Sequence, residues 1–281
     1  MIKQPYFRYD STYSVRGSRG ALMIYLPCEV GYIGYVITHS VVPEITCDTW
    51  RLSAALSYND ELGEERSLTP SAEWDMALAI QGRDDFIGGL LHGDEIYSSM
   101  HLCVDGDRRD PVKCTELSPF NTLTVTTESV GLDPADHTSE VLRHHKRHVI
   151  TTEGVTVEQM VEWLGDYELS SCFMGMMPPR KELVDSYYTD VTPDTEDIVA
   201  SSFDVRECRS ATLFGRDSGY YFRMSVPKYP SYESGSRLLV RDNGRPDYNK
   251  MYFPVCLSES VARGEIWDTV TEYKIWRSSD R

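Results

Sequence analysis

Ile96-Tyr97-Ser98-Ser99-Met100-His101-Leu102-Cys103-Val104, closed by Asp105-Gly106, is the stretch whose reading decides the fold. Ile96, Ser98, Met100, Leu102 and Val104 fall on one face, and Tyr97, Ser99, His101 and Cys103 on the other. That is the period-two pattern of a half-buried strand. The Asp-Gly that follows supplies the positive φ angles of a tight hairpin turn. The same grammar recurs outward in both directions. Leu123 and Val125 alternate with Thr124, Thr126 and Glu128, and Trp267, Thr269, Thr271, Tyr273 and Ile275 share one face near the C-terminus. Further turn marks stand at Gly17-Ser18-Arg19-Gly20, Asn59–Gly63, Asp217-Ser218-Gly219 and Asp242-Asn243-Gly244.

Helix signals are few. Val155–Leu164 places Val157, Val161 and Leu164 on one helical stripe, but it also alternates as a strand, and the strand reading is favoured. Pro178–Asp197 and Pro227–Gly235 read as polar loops, the kind of segment that carries binding surfaces on a rigid scaffold. About fifteen candidate strands with no interleaved long helices predict an all-β fold. The expected architecture is a two-sheet antiparallel β-sandwich, jelly-roll-like, with long polar loops and little helix, built as a single domain over residues 1–281.

The apolar fraction of 41% suffices for a buried core, and the net charge of −16 argues against non-specific binding to nucleic acid or an anionic membrane. No run of about 18 apolar residues predicts a membrane span. The N-terminal residues lack a secretory signal, so cytoplasmic synthesis without Sec-type export is expected. The seven cysteines are odd in number and form no CxxC pair, which argues for reduced, structural thiols. Walker, Rossmann, nucleophile-elbow and HExxH motifs are absent from the sequence. No cofactor or metal is expected.

Three segments could carry chemistry. Arg143-His144-His145-Lys146-Arg147-His148 is six cationic or potentially cationic residues in an acidic chain. On a strand, His144, Lys146 and His148 share one face, and Arg143, His145 and Arg147 share the other. His144 and His148 then lie about 13 Å apart, too far to chelate one metal. The functional reading is a basic stripe aimed at the carboxylates of an acidic glycan. The plainer reading is a solvated strand whose cations pair with acids on neighbouring strands. Phe86–Glu95 surrounds His92 with glycines and acids, so that His92 with Asp94 or Glu95 could supply an oriented acid–base pair or two metal ligands; the plainer reading is a polar turn. Tyr220, Tyr221, Arg223, Lys228, Tyr229 and Tyr232 interleave aromatic and basic groups, fit for stacking on sugar rings, although tyrosine is also simply a good strand residue. The five tryptophans are expected in the core.

At YDSTYSVRG, GGLLHGDE, RHHKRHV and YYFRMSVPKY the chain resembles β-sandwich carbohydrate-active proteins, namely jelly-roll polysaccharide lyases and the glycan-engaging modules of phage tails. The resemblance implies β-elimination on an acidic polysaccharide, with a His or Tyr base and Arg as carboxylate neutraliser; hydrolysis of such a glycan is the other enzymatic reading. The base would come from His92, His145 or Tyr221. Arg143, Arg147, Arg223, Lys228 and Tyr229 would hold the substrate. The alternative is a non-catalytic glycan-binding or virion-associated module, with homo-oligomer or virion assembly as its context.

Overall fold

Short apolar-polar alternations separated by Gly, Asn and Asp turns give the chain twenty-one strands among its described residues. The computed structural model describes residues 3–14, 17–74, 76–198, 202–230, 232, 235, 237–241 and 247–278. The turn expected at Asp242-Asn243-Gly244 lies outside them.

The first strands are β1 (Tyr6–Asp10), β2 (Ser18–Pro27), β3 (Tyr32–Val42), β4 (Cys47–Tyr58), β5 (Glu64–Ser67) and β6 (Ala77–Ile80). After a single helical turn, α1 (Gly89–His92), come β7 (Glu95–Val104), β8 (Asp107–Arg109), β9 (Ser118–Pro119), β10 (Leu123–Leu132), β11 (Glu140–Thr151) and β12 (Gly154–Trp163). Next are β13 (Tyr167–Met177), β14 (Ser186–Thr189), β15 (Glu196–Asp197), β16 (Phe203–Arg206) and β17 (Ser210–Phe214). The chain closes with β18 (Tyr220–Lys228), β19 (Arg237–Arg241), β20 (Lys250–Val261) and β21 (Ile266–Arg277).

They form a two-sheet, antiparallel-rich β-sandwich. The large sheet runs β15-β14-β17-β18-β21-β12-β11-β10-β7-β4-β3-β2-β1-β9, with β5 and β8 added beside β4 and β7. The small sheet runs β16-β19-β20-β13-β6. A short parallel contact joins Cys47 and Asp48 of β4 to Glu95 and Ile96 of β7.

The large sheet curls until its two arms touch. Trp74, fully buried, packs edge-on against Tyr35 of β3 and Tyr273 of β21, with ring centroids 6.4 and 5.3 Å away. The Ile275 amide of β21 donates to the Tyr35 hydroxyl at 2.9 Å, and the Tyr273 hydroxyl donates to the Trp74 carbonyl at 2.7 Å. Strands remote in sheet order therefore share one core, in which Leu22, Ile24, Ile37 and Leu52 meet Leu213, Phe222 and Met224.

The inner face also buries charge. Glu95 is 2% exposed; Ser129 donates to it at 2.9 Å and His144 Nδ1 lies 3.1 Å away. Burial alone would push this carboxyl up, but Lys146, His144 and Arg51 around it hold it down, at about 2. His144 Nε2 lies 3.2 Å from Gln159, whose amide donates at 2.7 Å to the Met174 carbonyl of the small sheet.

Several sequence expectations hold. Val155–Trp163 of the Val155–Leu164 segment is strand, and Asp105-Gly106 makes a turn between β7 and β8 with φ of 51° and 91°. Three need correction. Pro227 and Lys228, read as the start of a loop, instead close strand β18. The register of β7 against β10 slips between Glu128 and Ser129, where Ser98 is skipped. This bulge puts Glu95 and Tyr97, rather than Ile96 and Ser98, on the inner face with Leu102. Pro178–Asp197 is more than loop: it contributes β14 and β15, because Tyr187 and Tyr188 find partners in β17 and so extend the large sheet.

The depressed Glu95 carboxyl contributes stability that is fully present above its ordinary value of 4.5 and is lost as pH falls toward about 2. Urea titrations should show the midpoint falling across that window, with a smaller fall in Glu95→Gln. At pH 7, Glu95→Ala should lose about 3–5 kcal/mol, because Lys146 and Arg51 would lose their buried counter-charge.

Candidate functional site

The curl that joins the two arms also leaves a seam on the outer surface. Strand β12 begins at Gly154, and Val155 is already opposite Tyr273, so Lys274 to Arg277 run past the end of β12. A Cβ on Gly154 would stand 2.3 Å from the Tyr273 carbonyl oxygen, and its φ is +134°, so glycine is required at this close approach. Across the gap lie Pro27, Cys28 and Glu29 at the end of β2. The result is a groove of about 450 Å³ that adjoins a cleft of about 240 Å³; the two share Glu153, Gly154, Arg223 and Lys274.

Alternation on two neighbouring strands sets the chemistry of this groove. On β18, Tyr220, Phe222 and Met224 enter the core, so Tyr221 and Arg223 face outward. On β21, Tyr273 and Ile275 enter the core, so Lys274 and Trp276 face outward. The register places Tyr221 opposite Trp276 and Arg223 opposite Lys274. An aromatic pair thus lies beside a cationic pair, about 6.6 Å away along the strands.

Phe214 of β17 lengthens the aromatic row. Phe214 and Tyr221 stack at 5.2 Å and 6°, and Tyr221 and Trp276 at 4.9 Å and 8°. Tyr188 of β14 stands opposite Thr212, which in turn stands opposite Arg223. Arg223 is exposed and donates from Nε to Ser210 at 3.3 Å; among the described residues no carboxylate is ion-paired with it. Opposite it on β17, the buried Thr212 hydroxyl has no hydrogen-bond partner among the described residues. Lys274 donates to Glu153 at 2.8 Å and holds that carboxyl below its ordinary value. Arg277, at the groove's far side, donates to Glu65 at 3.0 Å.

Of the residues singled out from sequence, Arg223 lines this groove, and Tyr221 stands beside it, stacked on the lining Trp276. The others are dispersed. Arg143, His145 and Arg147 project together from the outer face of β11, each beside an acid on a neighbouring strand: Glu162 at 3.3 Å, Glu128 at 2.5 Å and Glu158 at 2.8 Å. Lys228 pairs with Asp268 at 2.5 Å, and Tyr229 turns its hydroxyl inward to Thr271 at 3.3 Å. His92 is oriented by Asp85 at 2.6 Å, not by Asp94 or Glu95, which are taken by His137 and His144. The tight turn at Gly93, with φ of +88°, carries those two acids away from the His92 ring.

Trp276, Lys274, Tyr188 and Gly154 are absent from the sequence-based candidates. Trp276 was expected in the core, yet the alternation that buries Tyr273 and Ile275 puts it on the opposite face. That parity was the available signal.

No known protein family matches the chain, and no curated protein matches it. Among solved structures it is similar to a galactose mutarotase-like protein from Clostridium acetobutylicum (8% identity, TM-score 0.47), with 99% of this chain and 100% of that one covered. It is also similar to a GH36 α-galactosidase from Geobacillus stearothermophilus (9% identity, TM-score 0.49). There the match covers 91% of this chain but 41% of the other. A third likeness, to a putative aldose 1-epimerase from Escherichia coli, has 10% identity and a TM-score of 0.41, covering 91% and 100%. None superposes closely enough to transfer a residue or an activity.

Trp50, Trp74, Trp163 and Trp267 are buried, and Trp276 is the partly exposed exception. Acrylamide should therefore quench essentially one tryptophan in the native protein, and Trp276→Phe should remove most of the quenchable emission. A quenchable fraction unchanged by that substitution would contradict the placement.

Proposed function

We propose that the protein binds an acidic polysaccharide in the seam groove. A sugar ring lies against the part of Trp276 that the aromatic stack leaves open, and its carboxylate sits on Arg223. The single observation that carries this reading is the register of β18 and β21, which sets the Tyr221–Trp276 pair beside Arg223 and Lys274, with Trp276 and both cations lining one groove. Ring faces bind the apolar C–H surface of a sugar, while a guanidinium accepts a carboxylate in a fixed fork. Arg223, ion-paired with no acid among the described residues, is the cation best able to take a ligand's carboxylate. Lys274 is held by Glu153 and serves as a secondary contact.

A binding role is better supported than a lyase role. Tyr221 has its ring clasped between Phe214 and Trp276, and no histidine lines the groove among the described residues. The Arg143–His145–Arg147 stripe stays outside the proposal because Glu162, Glu128 and Glu158 occupy its cations.

Calorimetric titration with oligogalacturonate tests the proposal. Arg223→Ala and Trp276→Ala should each weaken binding by about 1–3 kcal/mol, tenfold or more at the middle of that range. The uncharged oligogalactoside should bind more weakly than the uronate, and added salt should narrow the difference. Wild-type affinity in both folded variants would overturn the proposal.

A further inference from the structure

On the outer side of the small sheet, away from the groove, β6, β13 and β20 carry a second pocket of about 200 Å³. Its walls include Phe86, Phe173 and Tyr252, and its floor carries the Lys250 amine and the Glu73 carboxylate. The Lys250 side chain is 4% exposed and is paired with Glu73, whose side chain is 10% exposed. The Lys250 Nζ also lies 4.8 Å over the Tyr252 ring. His92, the residue that sequence reading singled out and the groove did not use, stands at this pocket with a quarter of its side chain exposed. It is oriented by Asp85 at 2.6 Å and rests against Phe86 at 4.8 Å.

A buried lysine–carboxylate pair is by itself ordinary structural material. This one opens into a cavity walled by aromatic rings, and that combination is what a carbonyl-reactive lysine needs. We propose that the pocket is a carbonyl site in which Lys250 forms an imine with a small aromatic or short-chain aldehyde. A cavity of about 150 Å³ accepts benzene, so this one has room for a six-membered ring bearing a formyl group.

The step balances with groups present. Glu73 takes a proton from the Lys250 ammonium, freeing the nitrogen lone pair. That pair attacks the carbonyl carbon, the C=O π electrons move to oxygen, and one of the two protons on the nitrogen passes to that oxygen to give the neutral carbinolamine. Glu73 returns the proton to the carbinolamine hydroxyl, which leaves as water while the C=N bond forms. No oxidant, reductant or metal is required. Burial favours the first proton transfer, because it pushes the Lys250 ammonium down, to about 7. His92, with Asp85 behind it, is placed to hydrogen-bond the aldehyde oxygen as the ligand enters.

The experiment is reductive trapping of the full-length wild-type protein with benzaldehyde and cyanoborohydride at pH 7, followed by peptide mapping. Lys250 should be modified at least ten times faster than the exposed Lys228 and Lys274. Ala77→Leu, which fills the pocket beside Phe173, should suppress the Lys250 adduct and leave labelling of those two lysines unchanged. Labelling of Lys250 no faster than of the exposed lysines would overturn the proposal, as would an adduct that persists at full rate in Ala77→Leu. Glycan affinity plays no part in the readout, so the groove and this pocket fail or stand separately.

Discussion

A carboxylate sealed inside a β-sandwich is the constraint on which this structure rests. Glu95 could not remain ionised at that depth unless strands distant in sequence delivered its partners to one place. Arg51 comes from β4, Ser129 from β10, and His144 and Lys146 from β11. Gln159 then passes the network from His144 to the small sheet. A slip of one residue in any of these strands would turn its polar partner to the outer face and strand a buried charge. The network therefore fixes the registers of the central strands as firmly as the apolar core does. From those registers follows the curl that brings Tyr35 and Tyr273 together around Trp74, and from the curl follows the seam in which the groove lies.

Much of the fold was legible because its rules are local. Alternation identified the strands, and Asp105-Gly106 identified a turn. What escaped was non-local or depended on a single irregularity. The bulge at Ser98 inverts the faces of the start of β7, and nothing in Ile96–Val104 announces it. Tyr187 and Tyr188 sit in a proline-bearing polar segment, and only the open edge of β17 makes them a strand. The basic segment was sorted correctly into two faces, but one face reads unlike anything a sequence pattern teaches. His144, Lys146 and His148 are all buried, and the acid that makes this tolerable for Lys146 and His144 lies about fifty positions away.

The groove was half legible for the same reason. Tyr221 and Arg223 stand two apart on one strand, a spacing that can be read directly. Their partners Trp276 and Lys274 come from a strand some fifty residues later, and only the pairing of β18 with β21 brings them together. Gly154 had no local signal, since its need for glycine arises from the Tyr273 carbonyl beneath it. His92 had a clear local signal, but its orienting acid lies seven residues before it, not two or three after.

Charge shapes how such a groove would work. At −16 the molecule repels polyanions at a distance, but screening confines that repulsion to about 8–10 Å at physiological salt. Inside that range Arg223 stands beside Trp276 as the cation not ion-paired among the described residues, while Lys274 and Arg277 are balanced by Glu153 and Glu65. In the proposed binding mode, selectivity would come from matching a carboxylate to Arg223 while a ring occupies Trp276, which a simple polyanion without sugar rings would not do. The most direct test is a crystal structure of the protein with bound trigalacturonate. The account predicts a sugar ring over Trp276 with its carboxylate on Arg223. Sugar density along Arg143, His145 and Arg147 instead, with the seam groove empty, would contradict it.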